Sequence, residues 1–318
     1  VVIDASMVLI SWPAVMLHSS SSSLSLKQVS VMKGHDGAVW NAKFSYNGKY
    51  CMSGGHDRTV RLWNPHTGLH IQTYKGHSYE VLDLAITEDN SKFASCGKER
   101  SVLLWDVERA DEGTSRRIRA HDHTINSVAF NKSANILCSA SEDKTVKIWD
   151  LASRNRDPIQ MLNEASDSVT TVIVHGYEIV TGSVDGCVRC YDIRMGKLRT
   201  DVMHSPVINV SLSNDGNCIL VGCLNSSLRI LSKDDGTLFR TYEGHTNSKY
   251  MLRSSLTYDD AYVASGSEDN KIYIWDMVDN KVEQILSGHH KMVCGLMCHP
   301  SELMLLSSSV DGSIRLWK

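Results

Sequence analysis

The chain has 318 residues, of which 42% are hydrophobic, and its formal net charge is −3. This length and apolar content are sufficient for one large hydrophobic core. The small negative charge gives no general attraction to nucleic acid or to an anionic membrane, so we expect neither as a direct partner.

The first 24 residues do not share the pattern of the rest. Residues 1–18 are apolar but contain Asp4 and Pro13, and the chain has no lysine or arginine before Lys27. A secretory signal needs a basic start and a membrane helix needs a longer uninterrupted apolar run, so we predict neither. The serine run 19–23 is typical of a flexible linker, and its phosphorylation is left open. We expect a cytoplasmic and nuclear protein.

Residues 25–318 contain a repeat. Five units begin with a Gly-His or Ala-His pair and end at a tryptophan, and their histidines are His35, His77, His121, His245 and His289. The interval from histidine to tryptophan is 28 residues in four units and 30 in the unit of His245. Two weaker units, 181–192 and 221–232, fit the same period with Tyr191 and Leu231 at the tryptophan position. Apolar and polar residues alternate within the units, as in 145–149, which predicts strands.

This period, with four short strands in each unit, resembles that of WD40 repeats. The resemblance implies an all-β fold, a seven-bladed β-propeller over residues 25–318. The last unit ends one residue after Trp317 and lacks a fourth strand, so we predict that the segment 25–32 supplies it and closes the ring. Closure removes exposed sheet edges that would favour aggregation.

Four units place histidine, serine, aspartate and tryptophan at matching positions. These residues are His35, Ser53, Asp57 and Trp63; His121, Ser139, Asp143 and Trp149; His245, Ser265, Asp269 and Trp275; and His289, Ser307, Asp311 and Trp317. A Ser-His-Asp set can be mistaken for a hydrolase triad, but an enzyme does not need four copies of one nucleophile. We predict a buried structural tetrad in which the aspartate bonds the histidine, the histidine bonds the serine and the indole N–H completes the network.

No other catalytic constellation is evident in the sequence. A phosphate-binding glycine loop, a metal motif and a nucleophile elbow are all missing from it. We therefore expect a protein that is not an enzyme, with no cofactor and no small-molecule substrate.

Some units depart from the pattern. Glu99 stands at the aspartate position of blade two, Glu164 and Ala165 replace Gly-His in blade four, and blade five has neither the acid nor the tryptophan. We therefore expect apolar packing to hold blades four and five, and interpret the departures as drift rather than adaptation to a partner. We expect the basic stretch 116–119 to be a solvated loop.

The nine cysteines favour buried free thiols in a reducing compartment. Cys187 and Cys190 have the spacing of zinc ligands, but residues three apart on a strand point to opposite faces. Cys294, Cys298 and His299 form another loose cluster. Without a matching second pair of ligands, we predict no metal site.

In the WD40 family, interaction residues commonly lie three and five positions after the conserved histidine and immediately before the turn aspartate. The matching positions here predict a partner-binding face. They are Ala38, Trp40 and His56; Glu80, Leu82 and Lys98; Thr124, Asn126 and Glu142; Ser168, Thr170 and Val184; Leu224; Glu268; and Met292, Cys294 and Val310. Trp40 is the main candidate because aromatic side chains are typical interface anchors, although it could merely pack against blade-seven loops.

The resemblance is more specific in segments 62–68, 73–85, 183–198 and 232–252, which are similar to the mitogen-activated protein kinase organizer family. The likeness begins near residue 26 and includes the irregular blades four and five. It implies a non-enzymatic scaffold that gathers components of the Raf, MEK and ERK cascade and is also associated with spliceosomes. The expected partners are therefore kinase-cascade proteins or splicing factors, and the sequence leaves this choice and the oligomeric state open.

A second hypothesis comes from Tyr191, Asp192 and Arg194. Residues 191–194 resemble the aromatic-Asp-x-Arg box by which substrate receptors of cullin-type ubiquitin ligases dock their adaptor. The blade repeat already accounts for Tyr191 and Asp192, so that only Arg194 is additional.

Overall fold

Twenty-eight β-strands account for the regular secondary structure of the computed structural model, which describes residues 24–109, 113–153, 155 and 157–318. The strands form seven four-stranded sheets. The prediction of an all-β, seven-bladed propeller is confirmed. Residues 1–23, with the serine run, lie outside the described residues.

The strands of blades one to four follow one another along the chain. Blade one contains β2 (Val39–Phe44), β3 (Cys51–Gly55), β4 (Thr59–Asn64) and β5 (Leu69–Lys75). Blade two contains β6 (Val81–Ile86), β7 (Lys92–Gly97), β8 (Ser101–Asp106) and β9 (Arg116–Arg119). Blade three contains β10 (Ile125–Phe130), β11 (Ile136–Ser141), β12 (Val146–Asp150) and β13 (Gln160–Leu162). Blade four contains β14 (Val169–His175), β15 (Glu178–Ser183), β16 (Cys187–Asp192) and β17 (Lys197–Val202).

Blades five to seven complete the ring. Blade five contains β18 (Val207–Leu212), β19 (Cys218–Cys223), β20 (Ser227–Ser232) and β21 (Leu238–Tyr242). Blade six contains β22 (Ser254–Leu256), β23 (Tyr262–Gly266), β24 (Lys271–Asp276) and β25 (Val282–Ser287). Blade seven contains β26 (Val293–Cys298), β27 (Leu305–Ser309) and β28 (Ser313–Trp317), with β1 (Gln28–Lys33) as its fourth strand.

The N-terminal strand closes the ring as predicted. β1 pairs antiparallel with β28, so that Gln28 lies opposite Trp317 and Lys33 opposite Ser313. The backbones of Lys27 and Lys318 exchange two further hydrogen bonds of 2.8 and 2.9 Å. The blade that contains the C-terminal residues is therefore stabilised by residues from the start of the repeat region.

The first strand of each blade lines a central channel. These strands, β2, β6, β10, β14, β18, β22 and β26, contact their counterparts in neighbouring blades around the whole ring. We call the end at which they begin the top face and the end at which they finish the bottom face. In six blades the first strand has a bulge near its beginning, which blade six lacks.

The hydrophobic core lies between blades. One cluster joins Val39, Phe44 and Trp63 of blade one to Leu306 and Ile314 of blade seven. All nine cysteines are free, and seven of them are buried. Burial raises the pKa of Cys138 to about 12, so this thiol stays protonated at neutral pH.

The basic stretch 116–119 is a strand, and our prediction of a loop was wrong. Arg119 lies opposite Ser101 and Arg116 opposite Leu104 in the pairing of β9 with β8. Arg117 donates to Glu99 at 3.0 Å. The strand forms because its backbone completes the outer edge of blade two, a requirement that the local charge pattern does not express.

Candidate functional site

The predicted tetrad is formed in blades one, three and seven. In blade one, His35 Nδ1 lies 2.9 Å from Asp57 Oδ2 and His35 Nε2 lies 2.7 Å from Ser53 Oγ. Trp63 Nε1 donates to the same hydroxyl at 2.8 Å. The corresponding distances are 2.8 to 3.0 Å in the other two blades, whose tetrads are His121, Ser139, Asp143 and Trp149, and His289, Ser307, Asp311 and Trp317.

The environment of these tetrads favours structure over catalysis. Ser53, Ser139 and Ser307 are completely buried, so a substrate cannot reach their hydroxyl groups. Burial by itself would raise the pKa of Asp57, but the hydrogen bonds from His35 and Thr59 lower it well below its usual value. The aspartate therefore remains charged and keeps the turn attached to the histidine.

Blade two contains a fourth tetrad, which we did not predict because Glu99 replaces the aspartate. His77 Nε2 lies 2.5 Å from Ser95 Oγ, Trp105 Nε1 donates to Ser95 at 2.7 Å and Glu99 pairs with His77 Nδ1. Burial and the charge of Arg117 lower the pKa of His77 to about 3. The histidine-to-tryptophan interval of 28 residues was the signal that could have identified this tetrad.

In blade six the predicted tetrad is not formed, which corrects the sequence analysis. Trp275 Nε1 donates to the carbonyl of Glu243 at 3.0 Å, and Asp269 accepts from the Tyr273 hydroxyl at 2.7 Å. Ser265 Oγ donates to the Gly266 carbonyl, and the His245 ring packs edge-on against Trp275 with centroids 5.4 Å apart. Burial lowers the pKa of His245 to about 4.

The spacing of blade six explains this difference. In blade one, Ser53 lies opposite Ala42, seven residues after the histidine. In blade six, Ser265 lies opposite Ser254, nine residues after His245. The two additional residues therefore lie in the loop before β22, and they move the histidine away from the serine.

Blade four has buried apolar residues such as Val172 and Val180, in agreement with the expected apolar packing, and in addition a polar network that we did not predict. Arg189 Nη1 donates to Ser183 Oγ at 2.7 Å, and Arg189 Nη2 lies 2.8 Å from Asp185 Oδ2. Asp185 also accepts from the backbone of Ser166 at 2.9 Å. The arginine thus takes the place that histidine has in other blades.

In blade five, Val221 and Leu231 are buried at the serine and tryptophan positions, in agreement with apolar packing.

The predicted partner-binding residues are divided on the top face between an apolar and a polar part. Trp40, Leu224, Met292 and Val310 are half-buried and pack around Ile208, Leu252 and Cys294. We call Trp40, Leu224, Met292 and Val310 the apolar patch. Blades one, five and seven therefore contribute to one surface at the top of the channel. Trp40 both reaches this surface and packs against blade seven.

The polar part is organised by Glu80. Trp40 Nε1 donates to Glu80 Oε2 at 3.0 Å. His56 Nδ1 lies 2.9 Å from Glu80 Oε1, and Lys98 Nζ lies 3.2 Å from Glu80 Oε2. We call Trp40, His56, Glu80 and Lys98 the Glu80 cluster. His56 and Lys98 are exposed whereas Glu80 is largely covered, so the carboxylate holds side chains that a partner can reach.

Several predicted partner-binding residues serve the structure instead. Asn126 is buried and donates to the carbonyl of Val169 at 2.8 Å, and buried Thr170 donates to the carbonyl of Val207 at 2.9 Å. Cys294 is also buried. Each of the three is the bulge residue of its first strand, and their short side chains end beneath the surface, where they link neighbouring blades. The long side chain of Trp40 reaches the surface from the equivalent position.

The remaining predicted positions vary in exposure. Glu142 is exposed, while Ala38, Leu82, Thr124, Ser168 and Val184 are half-buried. Glu268 accepts hydrogen bonds from the backbone of Ser248 and Lys249 at 2.8 and 2.7 Å. It therefore fixes the loop that contains the two additional residues of blade six.

Sequence reasoning missed a charged network inside the channel. Asp83 is completely buried, and its carboxylate lies 2.8 Å from Lys43 Nζ and 3.6 Å from Arg253 Nη2. Asn41 and Ser127 donate to it at 2.6 and 2.8 Å. Burial opposes ionisation, but the charges of Lys43 and Arg253 lower the pKa of Asp83 to about 2. The signal available was an aspartate inside a strand-like apolar segment, 81–86.

The residues of the adaptor-docking hypothesis lie at the bottom of blade four. Tyr191 is buried, and Asp192 Oδ1 accepts from the backbone of Arg194 and Met195 at 2.9 Å. Arg194 is exposed and lies over the Tyr177 ring, 5.3 Å from its centroid. Tyr191 and Asp192 thus have structural roles, and docking through Arg194 stays a prediction.

Two features are absent from residues 24–109, 113–153, 155 and 157–318. Within them, no group of three or more histidine, cysteine, aspartate or glutamate side chains could hold a metal ion. The same part of the chain contains no helix long and apolar enough to cross a membrane.

Comparison with known proteins identifies the family. The WD40 family, described as "WD domain, G-beta repeat", matches residues 26–64, 68–106, 113–150, 156–192, 236–276 and 280–318. The chain is 42% identical over 292 residues to WD repeat domain-containing protein 83 of Rattus norvegicus, covering 92% of both chains. It is 34% identical over 316 residues to the WD repeat domain-containing protein 83 homolog of Dictyostelium discoideum, covering 90% of this chain and 96% of the relative. The chain therefore belongs to the WD40-repeat family that includes WD repeat domain-containing protein 83.

Proposed function

We propose that this WD40 propeller is a non-catalytic scaffold that binds protein partners through the apolar patch and the Glu80 cluster. The observation that carries the proposal is the environment of Trp40. Its ring packs, like Met292, Val310 and Leu224, against the buried cluster of Ile208, Leu252 and Cys294, and its N–H group is held by Glu80. An amphipathic aromatic side chain in a fixed orientation, surrounded by apolar and charged neighbours, is typical of an interface anchor.

The proposed partners are components of the mitogen-activated protein kinase cascade or splicing factors. This choice is supported by the resemblance of segments 73–85 and 232–252 to the kinase organizer family and by the similarity to WD repeat domain-containing protein 83 over 92% of the chain. A protein with both groups of partners would work in the cytoplasm and the nucleus, which is the location we propose.

Affinity purification from the organism's own cells, followed by mass spectrometry, tests this proposal. The wild-type chain is compared with a Trp40→Ala, Glu80→Lys variant and with a Leu69→Ala control, which removes an exposed apolar side chain from the outer strand of blade one. We expect partners that the first variant loses and the control retains. Recovery of kinases supports the organizer role, and recovery of splicing factors supports the splicing role. Equal recovery by all three proteins would refute the proposed face.

A second candidate function is that of a substrate receptor for a cullin-type ubiquitin ligase. The exposed guanidinium of Arg194, held over Tyr177 at the bottom of blade four, favours it. An Arg194→Ala variant should then lose the ligase adaptor while keeping the partners of the top face. Equal recovery of the adaptor with this variant removes the candidate.

A further inference from the structure

A second potential binding surface lies at the bottom mouth of the channel, opposite the Glu80 cluster. A cavity of about 450 Å³ opens there among the last residues of the first strands of five blades. Its lining includes Phe44, Ile86, Phe130, Val174 and Met297. The volume is within the range of roughly 300–1,000 Å³ that is usual for ligand sites.

The cavity is lined mainly by apolar residues and is open to solvent. Ile86, Phe130, Val174 and Met297 are half-buried, so these side chains remain partly in contact with water. Lys43 also lines the cavity, and its ammonium group is held by Asp83 at 2.8 Å. A side chain that enters from the bottom face therefore meets mainly apolar walls and a lysine whose charge is already paired.

Four exposed tyrosines lie in or beside turns of the bottom face, and one of them lines the cavity. Tyr46 lines it and is 58% exposed, and Tyr50, Tyr177 and Tyr258 are exposed in or beside equivalent turns of blades one, four and six. Tyrosine is enriched at protein interfaces because it combines a large apolar ring with a polar tip. This arrangement favours a protein partner over a small molecule confined to the cavity.

The turns around the mouth are acidic. The turns that join the first and second strands contain the carboxylates of Glu88, Asp89, Asp215, Asp259, Asp260 and Glu302, and the lysines Lys49 and Lys132. Lys132 lies 3.9 Å from Glu88, and Lys318 lies 3.0 Å from Glu302. Asp89, Asp215 and Asp259 accept hydrogen bonds from hydroxyl and backbone groups of their own turns.

Asp260 lies close to two other carboxylates of the bottom turns, Asp215 and Asp259. Burial raises the pKa of Asp260, hydrogen bonds from the backbone of Asn214 and Asp215 oppose this shift, and the negative charges of Asp215 and Asp259 add to it. The mouth therefore combines an apolar cavity with a rim of excess negative charge. Such a rim repels nucleic acid and anionic membranes. It also disfavours a symmetric dimer through this face, which would bring the same acidic turns together.

We propose that the bottom mouth binds a basic peptide segment of a protein partner, which inserts one bulky apolar side chain into the cavity and places lysine or arginine residues against the acidic turns. This site is separate from the apolar patch and the Glu80 cluster. A propeller with both sites can hold two partners at once, on opposite faces.

Selection from a displayed library of random 12-residue peptides on the full chain tests the proposal. Selected peptides are then measured against an Ile86→Thr, Val174→Thr variant, a Glu88→Lys, Glu302→Lys variant and a Trp40→Ala control. Threonine keeps the β-branched shape that strands favour, and the two glutamates lie at the surface. We expect peptides that combine a large apolar residue with several lysines or arginines. Each bottom variant should bind them at least tenfold more weakly, with no change for Trp40→Ala, and added salt should weaken binding.

Three results would overturn the proposal. The first is that no peptides are enriched on the wild-type chain relative to the Glu88→Lys, Glu302→Lys variant. This comparison decides the question even if circular dichroism shows that the threonine variant is unfolded. The second is enrichment of peptides without excess positive charge. The third is self-association in sedimentation experiments that the Ile86→Thr, Val174→Thr variant abolishes, because the occupant would then be a second copy of the chain.

Discussion

Trp40 of blade one donates its indole N–H to Glu80 of blade two over 3.0 Å. The same carboxylate pairs with His56 and Lys98. Hydrogen bonds to an ionised acceptor are about twice as strong as neutral ones. The Trp40 ring is therefore oriented before a partner arrives, and such preorganisation lowers the entropic cost of binding.

This relationship predicts that Trp40→Phe and Glu80→Leu are not additive. Each single change should weaken partner capture by roughly three- to tenfold, and the double variant should bind no more than about twofold more weakly than Trp40→Phe, because both changes act through the same ring. The partner recovered by affinity purification is titrated against each variant to measure its binding affinity. Glu283→Leu, which removes an exposed acid from the outer strand of blade six, is the control. Independent losses would show that Glu80 does not position Trp40.

The difference between the tetrad of blade three and the arrangement in blade six predicts that two serine substitutions lower the free energy of unfolding by different amounts. Ser139→Ala removes the hydroxyl shared by His121 and Trp149 and leaves both groups buried without a partner, so it should lower the free energy of unfolding by about 1–3 kcal/mol. Ser265→Ala in blade six should cost less, because that hydroxyl bonds only a carbonyl of the adjacent residue. Urea unfolding of the two variants measures the difference. Equal costs would contradict the structural distinction between the blades.

The periodicity of the sequence was sufficient for the fold and for three of the four predicted tetrads, because histidine, serine and tryptophan lie at fixed intervals on adjacent strands. It was not sufficient for blade six, because the 30-residue interval shows that two residues are added but not on which side of the first strand they lie. The network of Arg189 was missed because arginine also stands at the equivalent position in blades one and seven, as Arg61 and Arg315, where a histidine completes the tetrad. Asn126 and Thr170 were predicted to be accessible because the sequence does not show how far a side chain at the bulge extends.

The buried carboxylate of Asp83 predicts a pH dependence of stability. Its pKa is about 2 in the folded protein and ~3.9 in an unfolded chain. A lowered pKa stabilises the folded state above the unfolded value, and this stabilisation is lost as the pH falls towards the folded value. The free energy of unfolding should therefore fall more steeply between about pH 5 and 2 than in Asp83→Asn, by roughly 2–3 kcal/mol.

Chemical denaturation of both proteins at a series of pH values tests this prediction. Other carboxylates titrate in both proteins, so the difference between the two curves isolates Asp83. At neutral pH the variant should already be less stable, because Lys43 and Arg253 lose their buried counter-charge. Parallel curves would show that Asp83 does not titrate with a lowered pKa.

In blade four, Arg189 links Ser183 and Asp185, so its substitution should lower the stability of the folded protein. Arg189→Met keeps the length of the apolar stem but leaves the Asp185 carboxylate without its cation, and removal of one member of a buried ion pair costs about 3–5 kcal/mol. Arg229 occupies the equivalent position in blade five but donates to the Met203 carbonyl at 2.8 Å, so Arg229→Met should cost only about 0.5–1.5 kcal/mol. Thermal and urea unfolding of the pair would separate these values. Equal losses would mean that the ion pair adds nothing beyond one hydrogen bond, and blade four would then be held by apolar packing, as the sequence pattern indicates.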